Sequence, residues 1–220
     1  MKEKLSRETI AMRISKEIPN NSYVNLGIGI PTLVSQFTNF DQNIIYHSEN
    51  GVLNYGGLAN IDEENPNLIN AGGQFLKPTI GMSFFNSADA FAMIRGGHID
   101  ISVLGALQVS ERGDLANWMI PERGVGNIGG AMDLATGAKK LIVAMEHTDK
   151  NNNPKIVIKC SYPLTVSECV NLIVTDLCVI SVKSQGLFVR EIAPGWGQEE
   201  IQNLTEAKLF FDNNITEISL

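Results

Sequence analysis

The amino-acid sequence predicts an α/β fold with an open, mainly parallel sheet and flanking helices. Short apolar runs of strand length alternate with helical segments along the chain, a pattern typical of parallel sheets. Hydrophobic residues make up 44% and charged residues 19% of the 220 residues, as in ordinary globular proteins. Because the chain contains neither an internal repeat nor a low-complexity linker, we expect a single domain over residues 1–220.

Local signals predict the individual elements. Residues 6–18 predict the first helix, since Ser6 suits its N-cap, isoleucines recur every four residues from Ile10, and Pro19 stops it. The other predicted elements, in chain order, are a strand at 23–26, a helix from Pro31 to about Thr38, a strand at 44–47, a loop-rich stretch at 52–82, a helix that opens at 87–89 and ends in a left-handed turn at Gly96-Gly97, strands at 101–104 and 141–145, one or two strands within 171–182, a strand at 186–192 and a helix at 198–204.

Composition argues against several classes of function. The net charge is −7 and no block of lysine or arginine occurs, so we expect no nucleic-acid binding. No apolar stretch approaches the roughly 18–20 residues of a membrane span. The charged N-terminal stretch 1–19 has no apolar segment of the kind that secretory signals contain. We therefore expect a cytoplasmic protein without a membrane partner.

Cysteine and histidine spacing favours neither a metal site nor a disulfide framework. Cys160, Cys169 and Cys178 are nine residues apart, which fits no zinc pattern, and we expect buried free thiols in a reducing compartment. The three histidines are far apart, and none belongs to a metal-binding motif. His47 neighbours Glu49, but we expect it to point to the opposite face of its strand.

The segment Ser48-Glu49-Asn50-Gly51 follows the second predicted strand directly. Ligands of open α/β sheets bind at the carboxyl ends of strands, so this carboxylate is placed where a ligand would lie. Gly51 permits a tight turn with positive φ. A carboxylate presented in this way can be a general base, a metal ligand or a nucleophile. An ordinary turn with a solvated glutamate fits the four residues equally well.

Two glycine-rich segments offer backbone amides near the same edge. Residues 27–31, Gly-Ile-Gly-Ile-Pro, lie between the first strand and a helix, where N–H groups can point into a cleft and stabilise negative charge. Gly129-Gly130 precedes another helical segment and can supply an amide to an oxyanion hole. Neither segment is a complete dinucleotide or Walker motif. Each is also compatible with a plain turn before a helix.

Eight motifs occur in a fixed order between residues 25 and 165, and the pattern around them extends from about residue 6 to residue 211. They are NLGIGIPT at 25–32, SENG at 48–51, NAG at 70–72, FAMIRGGH at 91–98, LGALQV at 104–109, LANW at 115–118, GGAMDL at 129–134 and CSYPLT at 160–165. Together they resemble the family I coenzyme A transferases, specifically their B subunit or C-terminal half. The resemblance implies the CoA-transferase fold, which is similar to that of sugar-phosphate isomerases.

The resemblance also implies a covalent mechanism. Glu49 would attack an acyl-CoA thioester and form an acyl-glutamyl anhydride, and the returning CoA thiolate would then give a glutamyl-CoA thioester. The backbone N–H groups of Gly130 and Gly129 would meet the oxyanions. CoA and substrate contacts are implied at Gly27, Ile28, Gly29, Ile30, Pro31, Asn50 and Gly51. No metal or redox cofactor is expected, since coenzyme A itself is a substrate that is bound covalently as an intermediate.

Members of this family occur as one fused chain or as two subunits, and this chain resembles one half. The resemblance therefore implies a partner A subunit of similar size, which contributes a side-chain amide to the site, in an α₂β₂ assembly. Relatives use succinyl-CoA, acetyl-CoA or butyryl-CoA with acetoacetate, and some use 3-oxoadipate. An acyl-CoA and a carboxylate are thus the expected substrates.

One segment departs from the family pattern. Residues 121–127 are less basic than the corresponding loop of relatives, because Glu122 and Asn127 reduce its positive character. Two other functions remain open. A sugar-phosphate isomerase or ligand-sensing domain of similar fold would use Glu49 as a proton-transfer base, and a non-catalytic subunit would serve only in assembly.

Overall fold

A large mixed sheet lies at the centre of the structure. The computed structural model describes residues 2–220, apart from the side chains of Asn213 and Asn214. Its strands, in chain order, are β1 (Tyr23–Leu26), β2 (Ile45–Ser48), β3 (Val52–Leu53), β4 (Ser83–Phe84), β5 (Ile101–Leu104), β6 (Gln108–Ser110), β7 (Leu115–Ala116), β8 (Lys140–Ala144), β9 (Ile156–Val157), β10 (Leu172–Val174), β11 (Cys178–Lys183), β12 (Gly186–Ile192) and β13 (Leu209–Glu217).

The central strands of the large sheet are parallel. Over the described part of the chain, ten strands follow the order β13-β12-β11-β10-β8-β5-β1-β2-β3-β4. The pairings from β10 through β8, β5 and β1 to β2 are all parallel, whereas β3, β4 and β11 pair antiparallel. The strands β7, β6 and β9 form a separate small sheet. The parallel centre places the ends of β1, β2 and β5 at one edge.

Helices cover both faces of the sheet. They are α1 (Arg7–Ser15), α2 (Ile30–Leu33), α3 (Ser87–Arg95), α4 (Ala131–Gly137) and α5 (Gln198–Asn203). Ile94, Leu134 and Ile201, from α3, α4 and α5, belong to one apolar core, while α1 and α2 contribute Ile10 and Ile30 to the other. This arrangement confirms the predicted α/β fold with a mainly parallel sheet.

Most of the predicted elements occur with small shifts at their ends. The side chain of Ser6 accepts a hydrogen bond from the Thr9 N–H, which confirms the predicted N-cap, but α1 ends at Ser15 rather than near residue 18. The predicted left-handed turn after α3 is present at Gly97, with φ +73°. The small sheet and β13 were not predicted. The cysteines are free, with Cys178 buried and the other two half-buried.

A buried histidine links β8 to the turn before β11. The side chain of His147 is completely buried, and its Nδ1 and Nε2 lie 3.0 Å and 2.8 Å from the hydroxyls of Thr175 and Thr205. The Thr205 hydroxyl donates to the Ile201 carbonyl, so it accepts from Nε2, and Nδ1 accepts from the Thr175 hydroxyl or, when that hydroxyl donates to the Cys178 carbonyl, from the Cys178 thiol. The neutral ring is thus fully satisfied. Burial, with a smaller effect of Lys4, lowers the pKa of His147 to about 3.

We expect the protein to lose stability as the pH falls below about 6.5, before its carboxylates begin to titrate. Between pH 6.5 and pH 3 an unfolded chain protonates residue 147 and the folded chain does not, so stability falls as pH falls. The loss amounts to about 2 kcal/mol at pH 5. His147→Gln should flatten the free energy of unfolding between pH 7.5 and pH 5, measured by urea denaturation. Exposed His98→Gln is the control, and an unchanged slope in His147→Gln would contradict the assignment.

Candidate active site

One cleft at the carboxyl edge of the sheet brings together several residues that the sequence singles out. It has a volume of about 430 Å³, and its lining includes Gly27, Ile28, Glu49, Gly129 and Gly130. Further lining comes from the segments 70–72, which follows β3, and 104–107, which follows β5. The two loops after β1 and β2 thus face one cleft because those strands are parallel neighbours.

The other predicted binding residues do not line the cleft. Gly29 is the N-cap of α2, with φ +93° and ψ −129°, a combination open to glycine. Ile30 and Pro31 are buried in the first turn of α2, where Ile30 joins an apolar core. Asn50 and Gly51 shape the turn after Glu49. These five residues therefore support the loops, and their contact with CoA stays a prediction.

The turn after β2 directs the carboxylate of Glu49 into the cleft. The Ser48 hydroxyl accepts from the Ala71 N–H at 3.0 Å, and the Asn50 Nδ2 donates to the Ile69 carbonyl at 2.8 Å. Both neighbours of Glu49 therefore bind the adjoining loop 69–71, and Glu49 itself is half-buried in the cleft wall. This geometry is incompatible with a freely solvated surface turn.

Gly51 occupies a position that no other residue can take. Its φ is +108°, and a Cβ there would lie 1.9 Å from the carbonyl oxygen of Phe85. The Phe85 N–H donates to the Gly51 carbonyl at 3.0 Å, so the start of α3 is fixed directly against the turn. The glycine of the SENG motif is thus required by close backbone contact as well as by its φ.

Gly130 lies against Glu49. A Cβ on Gly130 would be 3.6 Å from Cγ of Glu49 and 3.1 Å from the ring of Phe91, so a glycine allows the close approach. Across the described residues, the N–H of Gly130 has no acceptor, whereas the N–H of Gly129 donates to Oδ1 of Asn127 at 3.0 Å. The two predicted donors therefore differ, because only Gly130 has its N–H free next to the carboxylate.

The loop after β1 forms the opposite side of the cleft. The Gly27 N–H donates to the Val103 carbonyl at 2.8 Å, and the Gly27 carbonyl accepts from the Thr32 hydroxyl at 2.9 Å. Both backbone groups of Gly27 are therefore occupied. Ile28 is 71% exposed and lies beside Gly72, where a Cβ would be 3.1 Å from its side chain. The loop contributes apolar surface to the cleft rather than free amides at this point.

Asn117 is a cleft residue that was not assigned a role from the sequence. Its Oδ1 accepts from the Thr165 hydroxyl at 2.7 Å, which leaves its NH₂ group as a donor on the cleft side. Within the described lining, Glu49 is the one ionisable side chain, so neutral amides supply the polar contacts. Asn117 belongs to the LANW motif, but the role of its side-chain amide could not be predicted because its hydrogen-bond partner is 48 residues away.

Glu49 lies in the turn after β2 and lines the cleft, whereas His47 does not line it, and the expectation that His47 points to the opposite face stays a prediction. The ring of His47 packs on that of Phe85, just before α3, with centroids 6.4 Å apart. Gly130 lies between Glu49 and the ring of Phe91 in α3, since a Cβ on Gly130 would be close to both side chains. His47 is fully buried beneath the cleft, and burial lowers its pKa.

The described residues form no cluster of three or more histidine, cysteine or acidic side chains that could hold a metal ion. Over residues 2–220, no helix has both the length and the apolar character needed to cross a membrane.

The fold and the cleft define an α/β enzyme that presents a carboxylate beside a free backbone amide. The family model for coenzyme A transferase matches residues 7–203. Among the similar proteins, the B subunit of the 3-oxoadipate CoA-transferase of Acinetobacter baylyi is 49% identical over 208 residues, which cover 94% of this chain and 95% of that protein. The chain belongs to the coenzyme A transferase family, as its motifs predict.

Two further similarities agree with this family. The B subunit of the succinyl-CoA:3-ketoacid coenzyme A transferase of Helicobacter pylori is 46% identical over 202 residues, covering 92% of this chain and 97% of that protein. The crystal structure of an acyl-CoA transferase apoenzyme from Escherichia coli O157:H7 superposes on the whole chain with a TM-score of 0.76 at 18% identity. The chain spans 45% of that longer chain, and at this identity the likeness shows the fold alone.

Proposed function

We propose that this chain is the glutamate-bearing B subunit of a two-subunit enzyme that transfers coenzyme A from an acyl-CoA to a short-chain carboxylic or 3-oxo acid. The observation that supports it most is the placement of Glu49, an ionisable side chain in an otherwise neutral cleft, packed closely against Gly130, whose N–H has no acceptor among the described residues. A carboxylate held in this way is suited to covalent catalysis.

The proposed reaction proceeds through two intermediates on Glu49. A carboxylate oxygen of Glu49 attacks the thioester carbon of the acyl-CoA, the C–S bond breaks, and CoA leaves as a thiolate. The thiolate attacks the glutamyl carbonyl of the resulting anhydride, which releases the first acid as a carboxylate and leaves a glutamyl-CoA thioester. The acceptor carboxylate reverses both steps. Charge and oxidation state balance without a proton donor, a metal or a redox cofactor.

The backbone amide of Gly130 has the role of an oxyanion donor in this scheme. Negative charge develops on the carbonyl oxygen in each tetrahedral intermediate, and a fixed N–H that is already in place stabilises it without reorganisation. The NH₂ group of Asn117 is a second polar contact for the acyl group or the acceptor acid. The pantetheine and nucleotide parts of CoA supply binding energy remote from the reacting carbon.

A partner A subunit of similar size, in an α₂β₂ assembly, belongs to the proposal. The relatives at 46–49% identity are named as B subunits, which supports a separate partner. Ile80, Ile61 and Phe84 are 99%, 90% and 60% exposed, an unusual set of apolar residues in the segment around β4. A partner that covers this segment would close the cleft from the side of β3 and β4. The free cysteines support a reducing, cytoplasmic location.

The substrates we propose follow from the names of the relatives, which print 3-oxoadipate, succinyl-CoA with a 3-ketoacid, and acetate, and otherwise from the family resemblance. Succinyl-CoA is the first donor to test, with acetoacetate and 3-oxoadipate as acceptors, and acetyl-CoA and butyryl-CoA complete the set of donors. A 3-oxo acid has an additional carbonyl oxygen that an amide donor such as Asn117 can bind.

Covalent trapping tests the function directly. The chain is co-expressed with its A subunit and incubated with each acyl-CoA, and the peptide that contains Glu49 is then analysed by mass spectrometry. We expect an added mass equal to CoA minus water on Glu49 with the productive donor, and its loss when the acceptor acid is added. Free CoA in place of acyl-CoA is the control. Turnover with an unmodified Glu49 would instead favour the proton-transfer role of an isomerase-like site.

A further inference from the structure

A row of three polar side chains lies buried across the centre of the sheet. Asn25 in β1 pairs in register with His47 in β2 and with Ser102 in β5, and all three residues are 0% exposed. Their neighbours Val24 and Val103 are apolar, as expected for strands buried on both faces. Buried polar groups destabilise a fold unless hydrogen bonds satisfy them, so the row calls for a physical reason.

Asn25 makes the hydrogen bonds of this row. Its Nδ2 donates to Nδ1 of His47 at 3.0 Å and to the backbone carbonyl of His47 at 3.1 Å. Because Nδ1 accepts, the neutral ring has its proton on Nε2. Oδ1 of Asn25 and Oγ of Ser102 have no hydrogen-bond partner within residues 2–220, while the backbone of Ala90 in α3 interacts with the ring of His47.

Stability does not explain the row. Each buried polar atom without a partner costs free energy, and apolar side chains of similar size at the three positions would avoid that cost. Sequences depart from the usual rules of core composition mainly at functional sites. The hydrogen-bonded pair of the row, Asn25 and His47, therefore points to a requirement of the cleft that follows these strands.

The two hydrogen bonds of Asn25 join the strands whose ends form the cleft. Asn25 precedes the glycine loop by two residues, and His47 precedes Glu49 by two residues. On its other side, His47 packs its ring against Phe85, whose N–H donates to the Gly51 carbonyl of the turn. His47 is thus hydrogen-bonded to Asn25 in β1 and packed against Phe85 beside the turn. These contacts fix the position of the last residues of β2.

We propose that Asn25 is a positioning residue for the reaction at Glu49. Through His47 it fixes the end of β2 against β1, and so sets the distance between Glu49 and the glycine loop on the other side of the cleft. The inference rests on the proposed function, in which Glu49 must meet a thioester carbon in a defined geometry. A displacement of about 1 Å at such a site can lower the rate by a factor of about 10².

The test compares Asn25→Leu with Ser102→Ala in the complex with the A subunit. Asn25→Leu removes both hydrogen bonds and keeps the number and branching of the side-chain heavy atoms, whereas Ser102→Ala changes the same row without touching His47. We expect kcat to fall by a factor of about 10 to 100 in Asn25→Leu, with KM for acyl-CoA changed by less than about threefold. Ser102→Ala should stay within about twofold of the wild type in both constants.

Amide hydrogen exchange at residues 48–51 reports on the positioning independently of activity. It should be faster in Asn25→Leu and unchanged in Ser102→Ala, while thermal unfolding shows that both variants are folded. Unchanged exchange at residues 48–51 in Asn25→Leu, or an equal loss of kcat in Ser102→Ala, would overturn the proposal. A wild-type complex that forms no CoA adduct on Glu49 would overturn the proposed function instead, and the exchange comparison would still decide the role of Asn25.

Discussion

We expect the substitution Glu49→Gln to abolish CoA transfer by the proposed two-subunit enzyme. Glutamine has nearly the same shape as glutamate, but its amide cannot attack a thioester or form the anhydride. Loss of a covalent nucleophile typically lowers kcat by a factor on the order of 10⁴ to 10⁶. The measurement is kcat for the complex with each productive acyl-CoA, together with the mass of the Glu49 peptide, which should gain no CoA.

A matched control separates the loss of the nucleophile from the loss of a negative charge. Glu64→Gln makes the same chemical change at an exposed residue of the segment after β3, and it should leave kcat unchanged. Thermal unfolding should be similar for both variants, since Glu49 makes no ion pair among the described residues. If Glu49→Gln kept a substantial part of the activity, the covalent mechanism would be wrong. The alternative that this chain is a non-catalytic subunit needed only for assembly would then be favoured.

The parts of the fold with local signals were predicted closely from the sequence. The bounds of β1, β5 and β12 agree with the predicted strands, because each is a short apolar run that glycine or a turn interrupts. The Ser6 cap is similarly local. By contrast, β6 and β9 are strands of two or three residues that pair through Val109 and Ile156, across a long stretch of sequence. Such short strands form only by pairing with each other in the folded chain, so no local sequence pattern predicts them.

The site was predicted as a set of motifs, while its hydrogen bonding required the structure. The turn at Glu49 and the glycine loops face one cleft as expected from adjacent parallel strands. The difference between Gly129 and Gly130 could not be predicted, since it depends on the side chain of Asn127. The side chain of Asn127 therefore decides which of the two amides is free in this chain.

The hydrogen-bond donor at Gly130 can be tested by substitutions at one position. Its φ of −86° is close to the angle that proline fixes, so Gly130→Pro removes the N–H with little change in the backbone. Gly130→Ala is the control for added volume, because its Cβ meets the Phe91 ring at 3.1 Å and Cγ of Glu49 at 3.6 Å while the N–H is kept. The comparison therefore corrects for the added Cβ, while the proline ring also restricts Gly129, whose φ is +47°.

We expect Gly130→Pro to lower kcat by a factor of about 10² to 10³ relative to Gly130→Ala, the usual cost of removing one oxyanion donor. KM for acyl-CoA should be similar in the two variants, since the N–H acts on charge that develops after binding. Equal values of kcat in the two variants would show that another group stabilises the oxyanion. Because the Gly129 N–H is already bound to Asn127, that group would have to come from the A subunit or from a side-chain amide such as Asn117.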